Sequence, residues 1–185
     1  MQKHLPERVQ KGQGTMRAFT FENATKIYFG GGCVKEHLLE AVKPYGETVM
    51  LAYGGGSIKT NGIYQEVMDV LKLAGKQVIE FSGIMPNPTY SKVMEGKKVV
   101  QENQVDLILA VGGGSVMDCS KAISMAAATD KDVWEEYWIK KGEIDFEPVP
   151  VGVIVTVVGT GSEVNGEGVI THEEQKIKTS RNYPR

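Results

Sequence analysis

The fold of this chain is decided by residues 107–118, which run Leu107-Ile108-Leu109-Ala110-Val111-Gly112-Gly113-Gly114-Ser115-Val116-Met117-Asp118. The apolar run has the length of a buried parallel strand and ends at three glycines. Because glycine has no Cβ, the backbone can turn sharply there and approach a ligand closely. A helical pattern begins at Ser115, and the N–H groups and dipole at a helix N-terminus favour phosphate. The stretch therefore predicts a strand, a phosphate-binding turn and a helix.

A near-copy of this unit lies upstream, where the apolar run Val49–Tyr53 is followed by Gly54-Gly55-Gly56-Ser57. Two such units in one chain indicate a dinucleotide site. Strand-like and helix-like segments alternate around both units, which predicts an α/β fold: a Rossmann-like, mostly parallel sheet with flanking helices. Ligands of such sheets bind at the carboxyl ends of the strands, where the glycine turns lie.

Hydrophobic spacing predicts the remaining elements. The predicted strands cover 26–29, 48–53, 77–81, 106–111 and 153–158, and a hairpin joins 169–171 to 176–178. The predicted helices cover 34–42, 63–74, 89–103, 115–128 and 130–140.

Composition limits the classes of function. The chain has 185 residues, 41% of them hydrophobic, and a net charge of -2, which gives no reason to expect nucleic acid or an anionic membrane as partner. Cys33 and Cys119 form no CxxC pair, so reduced cytoplasmic thiols are expected. No apolar stretch is long enough to span a membrane. The polar segment Met1–Ala18 is interpreted as a flexible extension or an expression remnant, with an organelle presequence as the alternative.

The first glycine turn bears on the choice of cofactor. Gly54, Gly55, Gly56 and Ser57 include no acidic residue that could accept a ribose 2′-hydroxyl, whereas Ser57 and Lys59 offer room and donors for a 2′-phosphate. This pattern favours NADP(H) over NAD(H). The alternative for Lys59 is an exposed lysine on a solvated turn.

The second glycine turn allows two interpretations of Asp118. In the functional one, Gly113, Gly114 and Ser115 hold a pyrophosphate and Asp118 is oriented toward the cofactor. In the other, Ser115 and Asp118 form a capping box at the start of the helix. A cap needs one glycine at most, so capping does not explain the three glycines.

Further polar residues follow the strand predicted at 153–158. Thr156, Thr160 and Ser162 could bind a ligand or cap the segment after them, and Lys178 could reach a ribose or phosphate or lie on the surface. The three histidines lack metal-ligand spacing and are expected at the surface, and Cys119 is expected in the core.

The ordered motifs resemble those of the iron-containing (group III) alcohol dehydrogenases, most closely the NADPH-dependent butanol dehydrogenase and aldehyde reductase branch. The resemblance covers Phe19 to Lys178. It is carried by Thr25-Lys26-Ile27-Tyr28-Phe29-Gly30, Tyr53-Gly54-Gly55-Gly56-Ser57, Pro86-Asn87-Pro88, Gly112-Gly113-Gly114-Ser115-x-x-Asp118-x-x-Lys121 and Thr160-Gly161-Ser162-Glu163.

The resemblance implies roles for individual residues. Gly54 to Ser57 would hold the ribose phosphate of adenosine, and Asn87 would shape the wall of the cleft. The pyrophosphate and nicotinamide side would fall to Gly113, Gly114, Ser115 and Asp118, and the adenine and ribose sites to Thr156, Thr160 and Lys178.

The resemblance also implies a second, all-helical domain that binds Fe²⁺ or Zn²⁺ and is absent from these residues. Residues 19–185 would be the NAD(P)-binding domain of an enzyme that transfers hydride between NADP(H) and a primary alcohol or aldehyde, acting as a homodimer. This domain alone would bind cofactor without turnover. Two alternatives remain: a fragment of an enzyme like glycerol dehydrogenase or dehydroquinate synthase, of the same fold, and a non-catalytic nucleotide-binding module that self-associates.

Overall fold

The computed structural model describes residues 23–182, so the predicted extension Met1–Ala18 lies outside the described residues. Within that range, four parallel strands form one sheet in the order β2-β1-β3-β4. The strands are β1 (Thr48–Tyr53), β2 (Gln77–Phe81), β3 (Leu107–Gly112) and β4 (Val151–Val155). The predicted α/β fold with a parallel sheet is confirmed.

Helices connect these strands, and a hairpin follows the sheet. The helices are α1 (Cys33–Val42), α2 (Ser57–Thr60), α3 (Ile63–Leu73), α4 (Tyr90–Glu102) and α5 (Gly114–Ala127), and a π-helix covers Trp134–Ile139. The antiparallel hairpin consists of β5 (Glu167–His172) and β6 (Ile177–Asn182). Local signals explain several boundaries: Thr89 caps α4 by accepting a hydrogen bond from the Lys92 N–H at 3.2 Å, and Gly75 follows α3 with a φ of +71°.

The sheet is buried on both faces because successive strand residues point to opposite sides. Leu51 and Leu109 pack on the side of α1 and α3, whereas Met50 and Ile108 pack on the side of α4, α5 and the π-helix. Met50, Leu51 and Ile108 have no exposed surface, and burying a side chain of that size stabilises the fold by roughly 1.5–3 kcal/mol. This double burial explains why β1 and β3 are almost continuously apolar.

The order of the strands places a crevice between β1 and β3. Chain connections leave β1 toward β2 on one side and continue from β3 to β4 on the other, and such a switch point is where open α/β sheets bind ligands. The strand ends are level, since Tyr53 lies opposite Val111 and Gly112 lies opposite Val155. The two glycine turns therefore emerge side by side at the carboxyl edge of the sheet.

Three predicted elements differ from the structure. Residues 26–29 are not a strand: they pair with no strand among the described residues, and Ile27 and Phe29 are 63% and 96% exposed. The helix predicted at 130–140 is shorter, beginning at Trp134 as a π-helix in which the Lys140 N–H donates to the Glu135 carbonyl at 3.0 Å. The strand predicted at 153–158 covers Val151–Val155 instead, because its ladder ends where β3 ends, with the Thr156 N–H donating to the Gly112 carbonyl at 3.0 Å.

Candidate functional site

A pocket of about 290 Å³ lies at the carboxyl edge of the sheet, beside the first turn of α5. Six of the predicted site residues line it: Asn87, Gly114, Ser115, Asp118, Thr160 and Lys178. They come from four separate parts of the chain, which the fold brings to one place. The remaining predicted residues, which are Gly54, Gly55, Gly56, Ser57, Lys59, Gly113 and Thr156, do not line this pocket.

The glycines of the second turn are held in tight packing. A Cβ on Gly112 would lie 2.5 Å from Cγ2 of Val116, and a Cβ on Gly114 would lie 2.7 Å from Cγ2 of Thr160. The first hydrogen bonds of α5 run from the N–H groups of Val116 and Met117 to the Gly113 carbonyl, so the N–H groups of Gly114 and Ser115 precede the helical ladder. A closely packed turn with N–H donors at a helix N-terminus fits the pyrophosphate of a dinucleotide.

Asp118 joins α5 to the chain segment beyond β4. Its Oδ1 accepts a hydrogen bond from the Ser162 hydroxyl at 2.6 Å, and its Oδ2 accepts one from the Val169 N–H at 3.2 Å. The capping-box alternative is wrong, because Gly113 is the N-cap of α5 and no side chain caps this helix end. Asp118 therefore shapes one wall of the pocket by fixing Ser162 and β5 against the helix.

Two residues of this wall were not among the predicted site residues of the pocket. The Lys121 Nζ donates to the Ser162 carbonyl at 3.0 Å, to the Ser162 Oγ at 2.7 Å and to the Glu167 carbonyl. Ser162 is 6% exposed, and its hydroxyl donates to Asp118 and accepts from Lys121. The available signal was the spacing Asp118-x-x-Lys121, which puts an acid and a base on one face of a helix.

The opposite wall contains a second polar pair. The Lys178 Nζ donates to the Asn87 Oδ1 at 2.6 Å, which connects the hairpin to the loop between β2 and α4. Asn87 has a φ of +56°, a left-handed conformation that asparagine tolerates better than most residues. Lys178 brings a positive charge to the rim of the pocket and is exposed, in agreement with the surface position that the sequence favours for it.

Thr156 and Thr160 have distinct positions. Thr156 is half-buried, its N–H donates to the Gly112 carbonyl, and it is not among the residues that line the pocket. The Thr160 Oγ1 accepts a hydrogen bond from the Ser162 N–H at 3.2 Å and faces Gly114. Thr160 therefore both lines the pocket and stabilises the loop after it, as the alternative interpretation predicts.

The first glycine turn lies beside the pocket and is more open. Its Gly54 carbonyl accepts a hydrogen bond from the Gly83 N–H at 3.1 Å, and Gly56 has a φ of +102°. A Cβ on Gly54 would lie 3.9 Å from Cγ2 of Val116, the residue that also crowds Gly112. Val116 thus lies between the two turns, and Ser57 is exposed to solvent beyond them.

Lys59 is not a free cation on this turn. Its Nζ lies 3.2 Å from Oε2 of Glu80, a residue of β2, and also lies over the rings of Tyr53 and Tyr64, 5.2 and 4.5 Å from their centroids. The hydroxyls of Tyr53 and Tyr64 donate to the same carboxylate at 2.5 and 2.7 Å.

These contacts lower the pKa of Glu80 and raise the pKa of Lys59. The tyrosine hydrogen bonds, from Tyr53 first and then Tyr64, hold the pKa of the Glu80 carboxyl below its usual value. The hydrogen bonds with Tyr53 and Glu80 raise the pKa of the Lys59 ammonium. Both groups are therefore charged near neutral pH. The turn itself has no acidic residue, as predicted, but the neighbouring strand supplies Glu80, which no local sequence pattern indicates.

Other reactive groups lie apart from the pocket. Burial raises the pKa of the Cys119 thiol to about 12, in agreement with the core position predicted for it. His172 is half-buried and stacks on Tyr90 with ring centroids 5.1 Å apart, so it is less exposed than a free surface histidine. In residues 23–182, no group of three or more histidine, cysteine, aspartate or glutamate side chains could hold a metal ion. The described residues therefore do not fit a metal centre.

Comparisons with known proteins bear on the family and the fold of the chain. A family profile described as "Iron-containing alcohol dehydrogenase" matches residues 24–185. A probable NADH-dependent butanol dehydrogenase of Bacillus subtilis is 46% identical over 163 residues, which are 88% of this chain and 41% of that protein. The NADPH-dependent aldehyde reductase YqhD of Escherichia coli is 38% identical over 159 residues, which are 85% of this chain and 40% of that protein.

Solved structures give the same result. The crystal structure of an NADH-dependent butanol dehydrogenase A from Thermotoga maritima superposes with a TM-score of 0.85 at 40% identity, covering 91% of this chain and 42% of that one. The chain thus spans about two fifths of the length of the relatives that it matches. These relatives include proteins named for NADH and for NADPH, so similarity alone does not decide the cofactor. No helix in the described part of the chain is long and apolar enough to cross a membrane.

Proposed function

Because this chain belongs to the iron-containing alcohol dehydrogenase family, we propose that it is the cofactor-binding part of an enzyme that transfers hydride between NADP(H) and a primary alcohol or aldehyde. The observation that carries the proposal is the pocket at the carboxyl edge of the sheet, where Ser115, Asp118, Thr160 and Lys178 meet beside a crowded glycine turn. When bound, the nicotinamide cofactor would supply or accept the hydride.

Different residues of the pocket would bind different parts of the cofactor. The N–H groups of Gly114 and Ser115, with Gly113 before them, would hold the pyrophosphate. Lys178, positioned by Asn87, would contribute a positive charge toward ribose or phosphate. Asp118 would act through Ser162 and the Val169 N–H, which keep the wall of the pocket closed against α5. Gly54 to Ser57 would meet the adenosine end of the cofactor, beside Val116.

We assign no metal ligand to the described residues. The family is described as iron-containing, and we propose that Fe²⁺ or Zn²⁺ is bound by the part of the relatives' length that this chain does not span. A carbonyl that neither a metal ion nor a proton donor polarises is a poor hydride acceptor. The chain of 185 residues should therefore bind cofactor without alcohol oxidation or aldehyde reduction.

We further propose that NADPH binds more tightly than NADH. Ser57 is exposed, and a Cβ at Gly55 would meet nothing within 4 Å, which leaves space for a 2′-phosphate at this turn. Lys59 stands two residues further on, although Glu80 offsets its charge. Titration of the chain with each cofactor tests the preference, and equal dissociation constants would contradict it.

Exposed apolar residues favour self-association, with a homodimer as the proposed state. Val157 and Val158 follow β4 and are 66% and 78% exposed, and Ile27 and Phe29 are exposed as well. Apolar surface of this kind is commonly covered by a partner. Light scattering after size exclusion should give twice the chain mass of 20.2 kDa, and a monomeric mass would contradict the proposal. The two free cysteines lead us to propose the cytoplasm as its compartment.

One titration tests whether the chain is the nicotinamide-binding part of a dehydrogenase. NADPH is titrated into the chain, and turnover of butanol and butyraldehyde is measured in parallel with added Fe²⁺ or Zn²⁺. The proposal expects binding without turnover. Absence of binding to either nicotinamide cofactor would overturn the assignment, and turnover by the chain alone would overturn the statement that its metal site lies elsewhere.

A further inference from the structure

We infer that Glu80 is a specificity residue of the first glycine turn, whose carboxylate weakens the binding of NADPH relative to NADH by offsetting the charge of Lys59. The inference rests on the proposed function, since it concerns the same cofactor. It is carried by the 3.2 Å pair between the Lys59 Nζ and the Glu80 carboxylate and by the position of Glu80 on the strand next to β1.

Glu80 occupies a position similar to that of the carboxylate that binds ribose in many dinucleotide sites. It lies opposite Leu51 in the ladder between β1 and β2, one residue from the end of β2 and at the same edge of the sheet as Gly54. An acidic residue at this edge accepts a ribose 2′-hydroxyl in many dinucleotide sites. Here the carboxylate already accepts three hydrogen bonds, two from tyrosine hydroxyls and one from the Lys59 ammonium.

This occupancy decides what Glu80 can do. A carboxylate that already accepts three hydrogen bonds, at 2.5, 2.7 and 3.2 Å, has little capacity left for a donor from the cofactor, so we expect its influence on the ligand to be mainly electrostatic. The side chains of Lys59 and Glu80 are 47% and 40% exposed, and Lys59 follows the exposed Ser57 by two residues, so we take the pair to act through solvent near the turn. The negative charge of a 2′-phosphate gains little attraction from a pair with no net charge, and a 2′-hydroxyl, which is neutral, is little affected by the pair.

Removing the carboxylate charge should therefore change one cofactor and not the other. In Glu80→Gln the side chain keeps its length and an oxygen that the tyrosine hydroxyls can donate to, while the turn gains one net positive charge. We expect the dissociation constant of NADPH to fall about threefold to tenfold at low salt, and that of NADH to change by less than about twofold. The gain for NADPH should shrink in 0.5 M salt because exposed charges are screened.

The role of Lys59 in this effect is tested by a double-mutant cycle. Lys59→Gln should weaken NADPH binding more in the Glu80→Gln background than in the wild-type chain, because the ammonium is free of its partner only there. Additive effects of the two substitutions would show that the charge of Glu80 does not act through Lys59, and would overturn that step.

Matched controls keep the experiment decisive. Glu102→Gln removes the same charge at the far end of α4, where Glu102 pairs with Lys98 at 3.7 Å, and should leave both dissociation constants unchanged. Thermal unfolding of each variant shows whether the fold is intact. Isothermal titration of the 185-residue chain with NADPH and NADH gives the constants without any need for turnover.

Each outcome has one meaning. Tighter NADPH with unchanged NADH in Glu80→Gln supports the inference. Unchanged or weaker NADPH overturns it, and weaker NADH overturns it in favour of a direct bond from the carboxylate to the ribose. A wild-type chain that binds neither cofactor contradicts the proposed function instead, and equal wild-type affinities contradict only the NADPH preference.

Discussion

The two glycine turns have the same four letters but need glycine for different reasons. In the second turn, Gly112 and Gly114 are crowded by Val116 and Thr160, and a Cβ at either position would overlap a side chain. In the first turn, a Cβ on Gly54 would lie 3.1 Å from the Ile84 carbonyl oxygen, but Gly55 and Gly56 face open space, and Gly56 needs glycine because its φ is +102°. The second turn is thus a packed cradle and the first an open bend. A repeated motif can therefore mark two structurally different sites.

The helices after the turns differ in the same sense. Three residues beyond Ser115 comes Asp118, which binds Ser162 and Val169 across the pocket. Three residues beyond Ser57 comes Thr60, whose hydroxyl donates to the Ser57 carbonyl at 2.9 Å within its own turn. The second unit is therefore tied to distant parts of the chain, and the first is tied mainly to itself. We expect substitutions in the second unit to have the larger effects.

Gly114→Ala should have the largest effect. The new methyl group would lie 2.7 Å from Thr160, whose hydroxyl is bonded to the Ser162 N–H and cannot move without opening the pocket wall. We expect NADPH affinity to fall at least about tenfold and the free energy of unfolding to fall by about 1–3 kcal/mol. Calorimetric titration and urea denaturation measure these two quantities.

Gly31→Ala serves as the matched control for that substitution. Gly31 precedes α1, and a Cβ there would meet nothing within 4 Å. We expect little change in affinity or unfolding free energy. Equal losses in the two variants would mean that crowding at Gly114 is not what makes the cradle.

Asp118→Asn should come next in size. One of the two carboxylate acceptors would become an amide donor facing either the Ser162 hydroxyl or the Val169 N–H, and an unsatisfied buried group costs about 1–3 kcal/mol. Urea denaturation measures the loss. Ser162→Ala leaves the bond from the Val169 N–H in place and should cost less than Asp118→Asn; a larger cost would contradict the role given to Asp118.

Gly56→Ala should have a smaller effect that comes from the backbone alone. A left-handed conformation costs a residue with a Cβ about 1–2 kcal/mol, and no neighbour would be displaced. The free energy of unfolding should fall by about that amount, as measured in urea. Gly55→Ala, which is neither crowded nor at positive φ, should cost clearly less in stability. The same cost for both would remove the conformational reason for Gly56.

Acid should reveal the smallest effect, at Glu80. Its pKa is lowered in the folded protein, so its contribution to stability is present above the ordinary value of 4.5 and is lost as pH falls through the lower folded value. Because the carboxylate is 40% exposed, the contribution should be below about 1 kcal/mol. Denaturation midpoints of the wild type and Glu80→Gln should converge as pH falls below 4.5; a constant gap would contradict the pairing.

Much of the fold was predictable because its signals are local. The apolar runs of β1 and β3 and the helical spacing of α3 and α4 fixed those elements to within a residue or two. The strand predicted at 26–29 failed because a strand also needs a neighbour, and alternation within four residues does not supply one. The π-helix at Trp134–Ile139 failed in length and type because its form depends on packing of three buried aromatic rings.

The candidate site was predictable in its glycines and less so in its partners. Strand-glycine-helix units indicate where a ligand binds, so the sequence predicts that Gly114, Ser115 and Asp118 belong to the site, and all three line the pocket. Glu80 was missed because it meets Lys59 only once β2 lies beside β1, and that pairing is not local. Ser162 was considered only as a ligand or cap residue because nothing near it in sequence points to Asp118, 44 positions away.

We propose above all that the crowded turn at Gly112–Gly114 is the cradle of a nicotinamide cofactor. The most direct test is isothermal titration of NADPH into the wild-type chain, Gly114→Ala and Gly31→Ala under one buffer condition. We predict measurable binding to the wild type and to Gly31→Ala, and at least about tenfold weaker binding to Gly114→Ala. Equal affinity for all three folded chains, or no binding to the wild type, would contradict the claim.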